Sequence, residues 1–543
     1  MRAAACSGAE CSHCRKSRSA EFPTPRGGKT SPRLCRCLGV PKQTPPHPSR
    51  AAAASAIDTA ITTLGALRDS GYAPRSIKEE LRDNLIRKIG AGEEVFPGIV
   101  GFDDTVLPDV ERAILSRHDI LLLGLRGQAK TRIARQLVGL LDEYMPIVAG
   151  SELNDDPLRP LSRFAVDLIA ERGDVTPVAW VHRRERYVEK LATPDVSVAD
   201  LIGDVDPIKA ATLKLPYSDE RTIHFGLIPR AHRSIFVINE LPDLQARIQV
   251  SLFNILQEGD IQIRGFKLRL PLDIQFLFTA NPEDYTNRGS IITPLKDRIE
   301  SQILTHYPAE IALAKQITLQ EASLLDVQRD RVTVPDLLHT LLETVVFKAR
   351  DSEFVDEKSG VSARLSISAY ENLVSAAERR AIRSGEERVQ ARIQDFWGVI
   401  PAITGKVELV YEGEQEGPYA VAIKLIGEAI KEVFAAIYPD PTKLKGERDP
   451  YGIIRSWFGG GNTLSLLNEA PEADFRQRLA GVAGLERLAG EKPVEGADVT
   501  LLMELILHGL TEFDVLNRDV IDRQMDFKDV LATMLDDDIF GDN

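Results

Sequence analysis

No run in the 543 residues reaches the roughly 18 consecutive apolar residues that a membrane-spanning helix needs. All five cysteines lie within the first 37 residues, so the rest of the chain relies on no disulfide bond. Basic residues are fewer than acidic ones, 67 Lys and Arg against 81 Asp and Glu, so the net charge is −14. Residues 1–57 carry +8, which leaves −22 on the following 486 residues. A body this acidic argues against direct binding of nucleic acid and fits a soluble cytoplasmic protein with no membrane partner.

Residues 1–57 form a basic, cysteine-containing segment that is open to several interpretations. Seven prolines, many Ser and Arg residues and few acids predict a disordered tail. The same composition is typical of a transit peptide, which would place the protein in an organelle stroma or matrix. Cys11-x-x-Cys14 followed by Cys35-x-Cys37 suggests zinc, although the second pair is too tightly spaced. A start codon assigned too far upstream would also produce such a segment.

The remaining chain is predicted to contain four segments. Apolar residues at helical spacing predict N-terminal helices over 58–95. Over 96–308, short apolar runs alternate with amphipathic stretches, which predicts an α/β core: a parallel sheet between two layers of helices. Helical patterns continue over 309–390 as a lid and over 391–543 as a mostly helical C-terminal domain. The apolar runs in the core lie at 120–123, 147–148, 235–238 and 274–279.

A strand, a glycine-containing loop and a helix follow one another near the start of the α/β core. The run 120–123 leads into Gly124-Leu-Arg-Gly-Gln-Ala-Lys-Thr131, and a helix is expected from about Arg132. Backbone amides of such a loop and the helix N-terminus attract phosphate. We expect Lys130 to reach the β- and γ-phosphates of ATP and the Thr131 hydroxyl to hold Mg²⁺. The predicted nucleotide-binding residues on this segment are Gly124, Arg126, Gly127, Gln128, Ala129, Lys130, Thr131 and Arg132.

Ala129 departs from the general phosphate-loop pattern, which has its last glycine at this position. Alanine is small enough to fit here if its φ angle stays negative. The competing interpretation of the whole segment is a strand-to-helix turn that binds nothing.

Two later apolar runs end in polar residues. The run 235–238 precedes Asn239-Glu240, where P-loop ATPases place a carboxylate for the Mg²⁺ shell and often a glutamate base for the attacking water. Asn239 can still accept a hydrogen bond from a metal-bound water, but the missing charge predicts weaker Mg²⁺ binding. The run 274–279 precedes Asn281, which can orient the attacking water. Either segment could instead be a simple turn.

The order of these motifs resembles that of an AAA+ ATPase. Leu201-Ile-Gly-Asp-Val-Asp206 and the segment from Phe225 to Ile235 resemble the ATPase (I) subunit of magnesium chelatase, with an insertion at about 195–234. Gly-Gln-Ala-Lys-Thr at 127–131 is similar to the phosphate loop of the MoxR group, a sister branch of the same clade. The resemblance covers about residues 96–390.

Several residue roles are implied by this resemblance alone. Ile99 and Val100 would line the adenine pocket, and Asn281 would be the sensor asparagine. Arg298, in Leu-Lys-Asp-Arg, would be the arginine finger that enters the neighbouring subunit's site, and Arg364 would be the second sensor, on the lid. Each arginine could instead belong to a solvated helix face or a surface ion pair.

The resemblance implies an ATP-hydrolysing homo-oligomeric ring, expected to be a hexamer, that remodels or activates a partner complex. A protein with a von Willebrand A domain is the expected partner. One alternative is a genuine magnesium chelatase ATPase subunit in tetrapyrrole metallation. Another is a nucleotide-binding scaffold that hydrolyses little ATP because Asn239 replaces the usual aspartate.

Overall fold

The computed structural model describes residues 59–216, 219–263, 269–282, 290–444, 449–521 and 524–529. The basic tail over 1–57 therefore lies outside the described residues. Within the described ranges, no helix is long and apolar enough to cross a membrane.

Five strands form the central sheet, labelled here β1 (Ile120–Leu123), β2 (Tyr187–Leu191), β3 (Ser234–Asn239), β4 (Ile274–Ala280) and β5 (Ser301–Leu304). They are all parallel and run in the order β5-β1-β4-β3-β2. The three central strands, β1, β4 and β3, are buried along their whole length, as expected for a sheet covered on both faces. The predicted AAA+-type αβα core is thereby confirmed.

Alternate residues of each strand enter different apolar clusters, because successive side chains point to opposite faces of a sheet. Ile120 and Val237 pack on the same side as Ile133 of the helix that follows the phosphate loop. Leu121 and Phe236 pack on the other side, among the helices and hairpins of the inserted segments. The helix after the phosphate loop is thus fixed against one face of the sheet.

One strand prediction was wrong. The run at 147–148 belongs to Tyr144–Val148, which pairs antiparallel with Val178–His182 and not with the parallel sheet. The sheet edge is formed instead by β2, which is only partly buried. A half-exposed edge strand lacks the continuous apolar run that marks a buried strand, so the pattern pointed to the wrong segment.

The α-helices connect and flank these strands and form most of the C-terminal half. In chain order they are Leu64–Asp69, Ile77–Ala91, Val106–Ser116, Lys130–Gln136, Arg163–Arg172, Val198–Leu201, Pro207–Leu213, Leu227–Arg230, Ala246–Ser251, Phe253–Glu258, Thr293–Lys296, Ile311–Glu321, Asp326–Arg331, Asp336–Asp351, Arg364–Ser384, Ile400–Thr404, Tyr411–Glu416, Pro418–Ile437, Gly452–Gly459, Glu472–Ala480, Leu485–Glu491 and Val499–Glu512.

Short strands pair outside the central sheet. Beside the pair already described they are Gly203–Val205 with Ile223–Phe225, Asp260–Gln262 with Arg269–Pro271, and Val332–Thr333 with Val389–Gln390. A three-stranded antiparallel sheet, absent from the sequence-based expectation, joins Leu464–Leu467, Gln524–Asp529 and Leu516–Ile521.

The region after β5 has one continuous core. Residues from Ala322 to Phe527 belong to the same apolar cluster, so the lid helices and the C-terminal helices pack against each other. The predicted helical lid and the mostly helical C-terminal region are observed.

Candidate functional site

A cavity of about 450 Å³ opens where the phosphate loop leaves β1. Its size lies within the range of small-molecule sites. The predicted site residues that line it are Ile99, Val100, Arg126, Gly127, Gln128, Ala129, Lys130, Thr131, Arg132, Glu240, Asn281 and Arg364. The fold therefore brings together side chains that are up to 265 positions apart in the sequence.

The loop backbone turns through two left-handed residues. Gly127 has φ 74° and Ala129 has φ 55°. The condition stated for Ala129, a negative φ, is therefore not met: Ala129 adopts the left-handed conformation that glycine favours. An L-residue in this conformation costs roughly 1–2 kcal/mol. The loop holds this strain immediately before the helix that begins at Lys130, two residues earlier than predicted.

Gly124 and Gln128 fix the base of the loop. A Cβ atom at Gly124 would lie 2.0 Å from the Thr305 hydroxyl oxygen and 2.2 Å from Gln128 Oε1. The Thr305 hydroxyl donates to Gln128 Oε1 at 2.7 Å, and both side chains are buried. Gln128 thus ties the loop to the end of β5.

The Lys130 ammonium group is buried and fully engaged. It donates to the Gly124 carbonyl, to the Leu125 carbonyl at 3.0 Å and to Asn281 Oδ1 at 2.7 Å. Such partners are needed because an unpaired buried charge is very costly. The contact with Asn281 brings the end of β4 next to the phosphate loop, as the order of motifs predicted.

The end of β3 is held by a chain of hydrogen bonds. The Glu240 amide N–H donates to Thr279 Oγ1 at 3.2 Å, and the Thr279 hydroxyl donates to Asn239 Oδ1 at 3.1 Å. Asn239 Nδ2 in turn donates to Glu189 Oε1 at 2.5 Å. Glu240 has φ 55°, and its side chain lines the cavity, whereas Asn239 does not line it.

Glu189, on the edge strand β2, was missed by sequence reasoning. Arg135 donates to its carboxylate at 3.1 and 3.3 Å, and the Tyr187 hydroxyl donates to it at 3.1 Å. Burial, and then the adjacent Glu189 carboxylate, raises the pKa of Tyr187, so this phenol remains a donor.

The oxygen groups around the cavity fit Mg²⁺ that arrives with phosphates. The Thr131 hydroxyl and the carboxylates of Glu240 and Asp243 line the cavity, and oxygen is the donor that Mg²⁺ prefers. The described residues contain no preformed group of three His, Cys, Asp or Glu side chains that would bind a metal alone. Mg²⁺ ordinarily keeps several waters and binds through substrate phosphates together with one or two protein ligands.

The apolar end of the cavity is formed by segments that lie far apart in the sequence. Ile99 and Val100 are joined there by Phe102, His306 and Ile317. The Phe102 and His306 rings meet edge to face, with centroids 5.0 Å apart. Nothing in the sequence near 306 or 317 marked these residues. His306 follows β5 and Ile317 lies on the helix Ile311–Glu321, and only the fold brings both to the loop.

The lid covers the tip of the phosphate loop. Ser362 and Ala363 lie against Gly127, so that a Cβ atom there would be 2.0 Å from Ser362 Oγ. Arg364 begins the lid helix and its side chain lines the cavity. The Arg126 guanidinium donates to Glu408 Oε1 at 2.6 Å. The loop is therefore in direct contact with both the lid and the C-terminal region.

Arg298 does not line the cavity of its own chain. Its guanidinium donates to Gln257 Oε1 at 3.1 and 2.9 Å and to the Pro294 carbonyl at 2.7 Å. It also lies over the Phe253 ring, 4.7 Å from the centroid. Arg298 is thus held in a defined position away from the other predicted site residues.

Comparisons with known proteins give distant likenesses. No family model matches the chain. It is 25% identical over 212 residues to the archaeal Lon protease of Thermococcus kodakarensis, which is 37% of this chain and 28% of that protein. The chain thus spans under a third of this curated relative's length.

Two solved structures are similar to parts of the chain. NtrX from Brucella abortus in complex with ATP shares 15% identity over 54% of this chain and 52% of its own, with a TM-score of 0.31. The complex between subunits BchI and BchD of magnesium chelatase, built from a cryo-EM reconstruction, shares 19% identity over 65% of this chain and 97% of its own, with a TM-score of 0.30. The strand order and the phosphate loop, not these likenesses, define the chain as a P-loop protein with the AAA+ fold.

Proposed function

We propose that the chain binds and hydrolyses ATP as an AAA+ ring protein of the MoxR and magnesium chelatase-like type, and that it remodels or activates a partner complex. The observation that carries this proposal is the convergence of Lys130, Asn281, Glu240 and Arg364 on one cavity beside a strained phosphate loop. These residues come from the phosphate-loop helix, the ends of β4 and β3, and the lid.

The cavity offers a complementary surface to each part of ATP. Loop amides and the Lys130 ammonium would hold the phosphates, while Ile99 and Val100 would contact the adenine ring. Thr131 would hold Mg²⁺, and Asn239, which does not line the cavity, would act on the ion only through a water. The ion supplies charge neutralisation at the phosphate oxygens.

Hydrolysis requires a base, a water-orienting group and a charge-stabilising group. Glu240 would take the proton of the attacking water, and Asn281, already hydrogen-bonded to Lys130, would orient that water. Arg364 would contact the nucleotide from the lid. Arg298 would stabilise the transition-state charge in the site of a neighbouring copy, which is consistent with its position outside its own cavity.

The shared site leads us to propose a homo-oligomeric ring, with six copies as the expected number. We propose a protein with a von Willebrand A domain as the partner. We also propose that this chain is located in the cytoplasm. The contact between Arg126 and Glu408 gives nucleotide binding a route to the C-terminal region, where a client could be engaged.

Two alternatives each have an observation in their favour. The segment from Leu201 to Asp206, which resembles the ATPase subunit of magnesium chelatase, favours a role in tetrapyrrole metallation. The amide at Asn239, in place of a carboxylate, favours a scaffold that binds nucleotide and hydrolyses little.

Phosphate release by the purified protein, measured with and without Mg²⁺, tests the proposal. We expect Mg²⁺-dependent turnover that Lys130→Ala abolishes. Binding of ATP without turnover would support the scaffold instead. Restoration of tetrapyrrole metallation in a strain that lacks its chelatase ATPase would support the other alternative.

A further inference from the structure

Glu189 and Asn239 project from neighbouring strands onto the same face of the sheet. In the parallel register Glu189 pairs with Val237, and Leu191 pairs with Asn239. Paired residues of adjacent strands share a face, and so do residues two apart on one strand. Val237 packs in the cluster that contains Ile133 of the phosphate-loop helix. Glu189 and Asn239 therefore both lie on the face that this helix covers.

The contacts of Asn239 determine which way its amide points. Glu189 contributes a carboxylate, which when ionised only accepts hydrogen bonds, so the Nδ2 group must face it. Thr279 Oγ1 accepts from the Glu240 amide, so its own proton is free to be donated to Asn239 Oδ1. The reverse amide orientation would place an oxygen against a carboxylate and an NH₂ group against a hydroxyl hydrogen. Glu189 thus excludes it.

The Glu189 carboxylate is also close to the phosphate-loop helix. Arg135, which contacts it, lies four residues after Thr131 and therefore one helical turn away on the same side of that helix. The negative charge is consequently located beside the end of β3, one hydrogen bond from the position where the usual aspartate is missing. Its side chain is 23% exposed, so it is only partly screened by water.

We propose that Glu189 is a positioning residue for the Mg²⁺–nucleotide site. It fixes the orientation of the Asn239 amide at the end of β3, where the Asn239 oxygen accepts from Thr279. It also places a carboxylate, shared with Arg135, one hydrogen bond from the position where the aspartate is missing. This inference rests on the proposed function and names a residue that the motif order alone does not reveal.

Moving the charge between the two positions tests this proposal. Glu189→Gln removes the charge, and Asn239→Asp puts two carboxylates side by side, which repel each other. The double variant Asn239→Asp/Glu189→Gln again has one carboxylate and one amide, with donor and acceptor exchanged. Glu185→Gln makes the same substitution at an exposed glutamate and is the matched control.

The affinity of each variant for a fluorescent ATP analogue is measured while Mg²⁺ is titrated. The readout is the Mg²⁺ concentration at which the gain in affinity is half complete. Affinity without Mg²⁺, in EDTA, is measured in parallel. We expect Glu189→Gln to raise this concentration about tenfold, as the loss of a charge-assisted hydrogen bond implies. Asn239→Asp should not lower it, and the double variant should return to within about threefold of the original protein. Binding in EDTA should stay unchanged, because the loop itself is intact.

An unchanged Mg²⁺ requirement in Glu189→Gln would overturn the proposal, and so would a lower requirement in Asn239→Asp. If Glu189→Gln unfolds at the assay temperature, Glu189→Asp replaces it in the test, because it keeps the charge but is too short to reach Asn239. An unchanged Mg²⁺ requirement in Glu189→Asp would also overturn the proposal. Absence of any binding by the original protein, with or without Mg²⁺, would instead contradict the proposed function on which this inference rests.

Discussion

Replacing Gly127 by alanine tests whether the lid is closed on the phosphate loop. The new Cβ atom would lie 2.0 Å from Ser362 Oγ and 3.0 Å from both Ser362 Cβ and the Ala363 amide nitrogen. The residue would also keep φ at 74°, where side chains are disfavoured. The serine oxygen can rotate away, but the Ala363 backbone cannot move without shifting the lid.

The loss of stability in Gly127→Ala is the sum of two costs, that of the left-handed φ angle and that of the steric overlap with the lid. The left-handed conformation costs roughly 1–2 kcal/mol for alanine. Overpacking adds about 1–3 kcal/mol. Gly92→Ala is the matched control, because Gly92 has φ 68° at a helix end but no heavy atom within 4 Å of the point where its Cβ atom would lie. The difference between the two variants, about 1–3 kcal/mol, isolates the contact with the lid.

Thermal unfolding and hydrogen exchange of the amides over 359–365 provide the assay. Gly127→Ala should unfold at a lower temperature than Gly92→Ala, and its lid amides should exchange faster. Adding Ser362→Gly should recover at least about 1 kcal/mol, because the colliding oxygen and Cβ atom are then absent. Equal stability of Gly127→Ala and Gly92→Ala, with unchanged exchange in the lid, would refute this closed arrangement.

Three further variants address the base, the shared site and a buried acid. Glu240→Gln should bind ATP and assemble but not release phosphate; normal turnover would show that the base lies elsewhere. Arg298→Ala should bind ATP without hydrolysing it, and mixing it with Lys130→Ala should restore part of the activity; a mixture without activity contradicts a shared site. Burial raises the pKa of Asp273 from 3.8 to about 6, so its contribution to stability is complete below pH 4 and is lost as the pH rises through 6. Asp273→Asn keeps an acceptor for the Ile77 amide. In chemical denaturation its free energy of unfolding at pH 8 should exceed that of the original protein by about 1–3 kcal/mol, and ionisation should cause no difference between the two proteins at pH 4. An equal gain at both pH values would exclude ionisation as the cause.

The central strands and the phosphate loop could be predicted because their signals are local. Strands buried on both faces, such as β1 and β3, are continuous apolar runs, and polar residues directly after them must lie at one edge of a parallel sheet. Lys130 and Asn281 were therefore expected at that edge from the sequence, whereas their 2.7 Å contact was not, and the roles assigned to them stay predictions.

Other parts of the site could not be predicted because they depend on tertiary packing. The edge strand β2 reads Tyr-Val-Glu-Lys-Leu and shows no buried pattern, so Glu189 had no visible connection with Asn239. His306 reaches the cavity only through the fold. The φ angle of Ala129 likewise follows from the loop geometry, since the identity of the residue favours the opposite sign.

Calorimetric titration with ATP tests the central claim most directly, because every role proposed above requires the phosphate loop to hold a nucleotide. The original protein and Lys358→Ala, a change at an exposed lysine, should bind ATP with equal affinity. Lys130→Ala should bind roughly 10–150 times more weakly, since one or more charge-assisted hydrogen bonds are lost. Equal affinity of Lys130→Ala and the original protein, or no binding by either, would contradict the account.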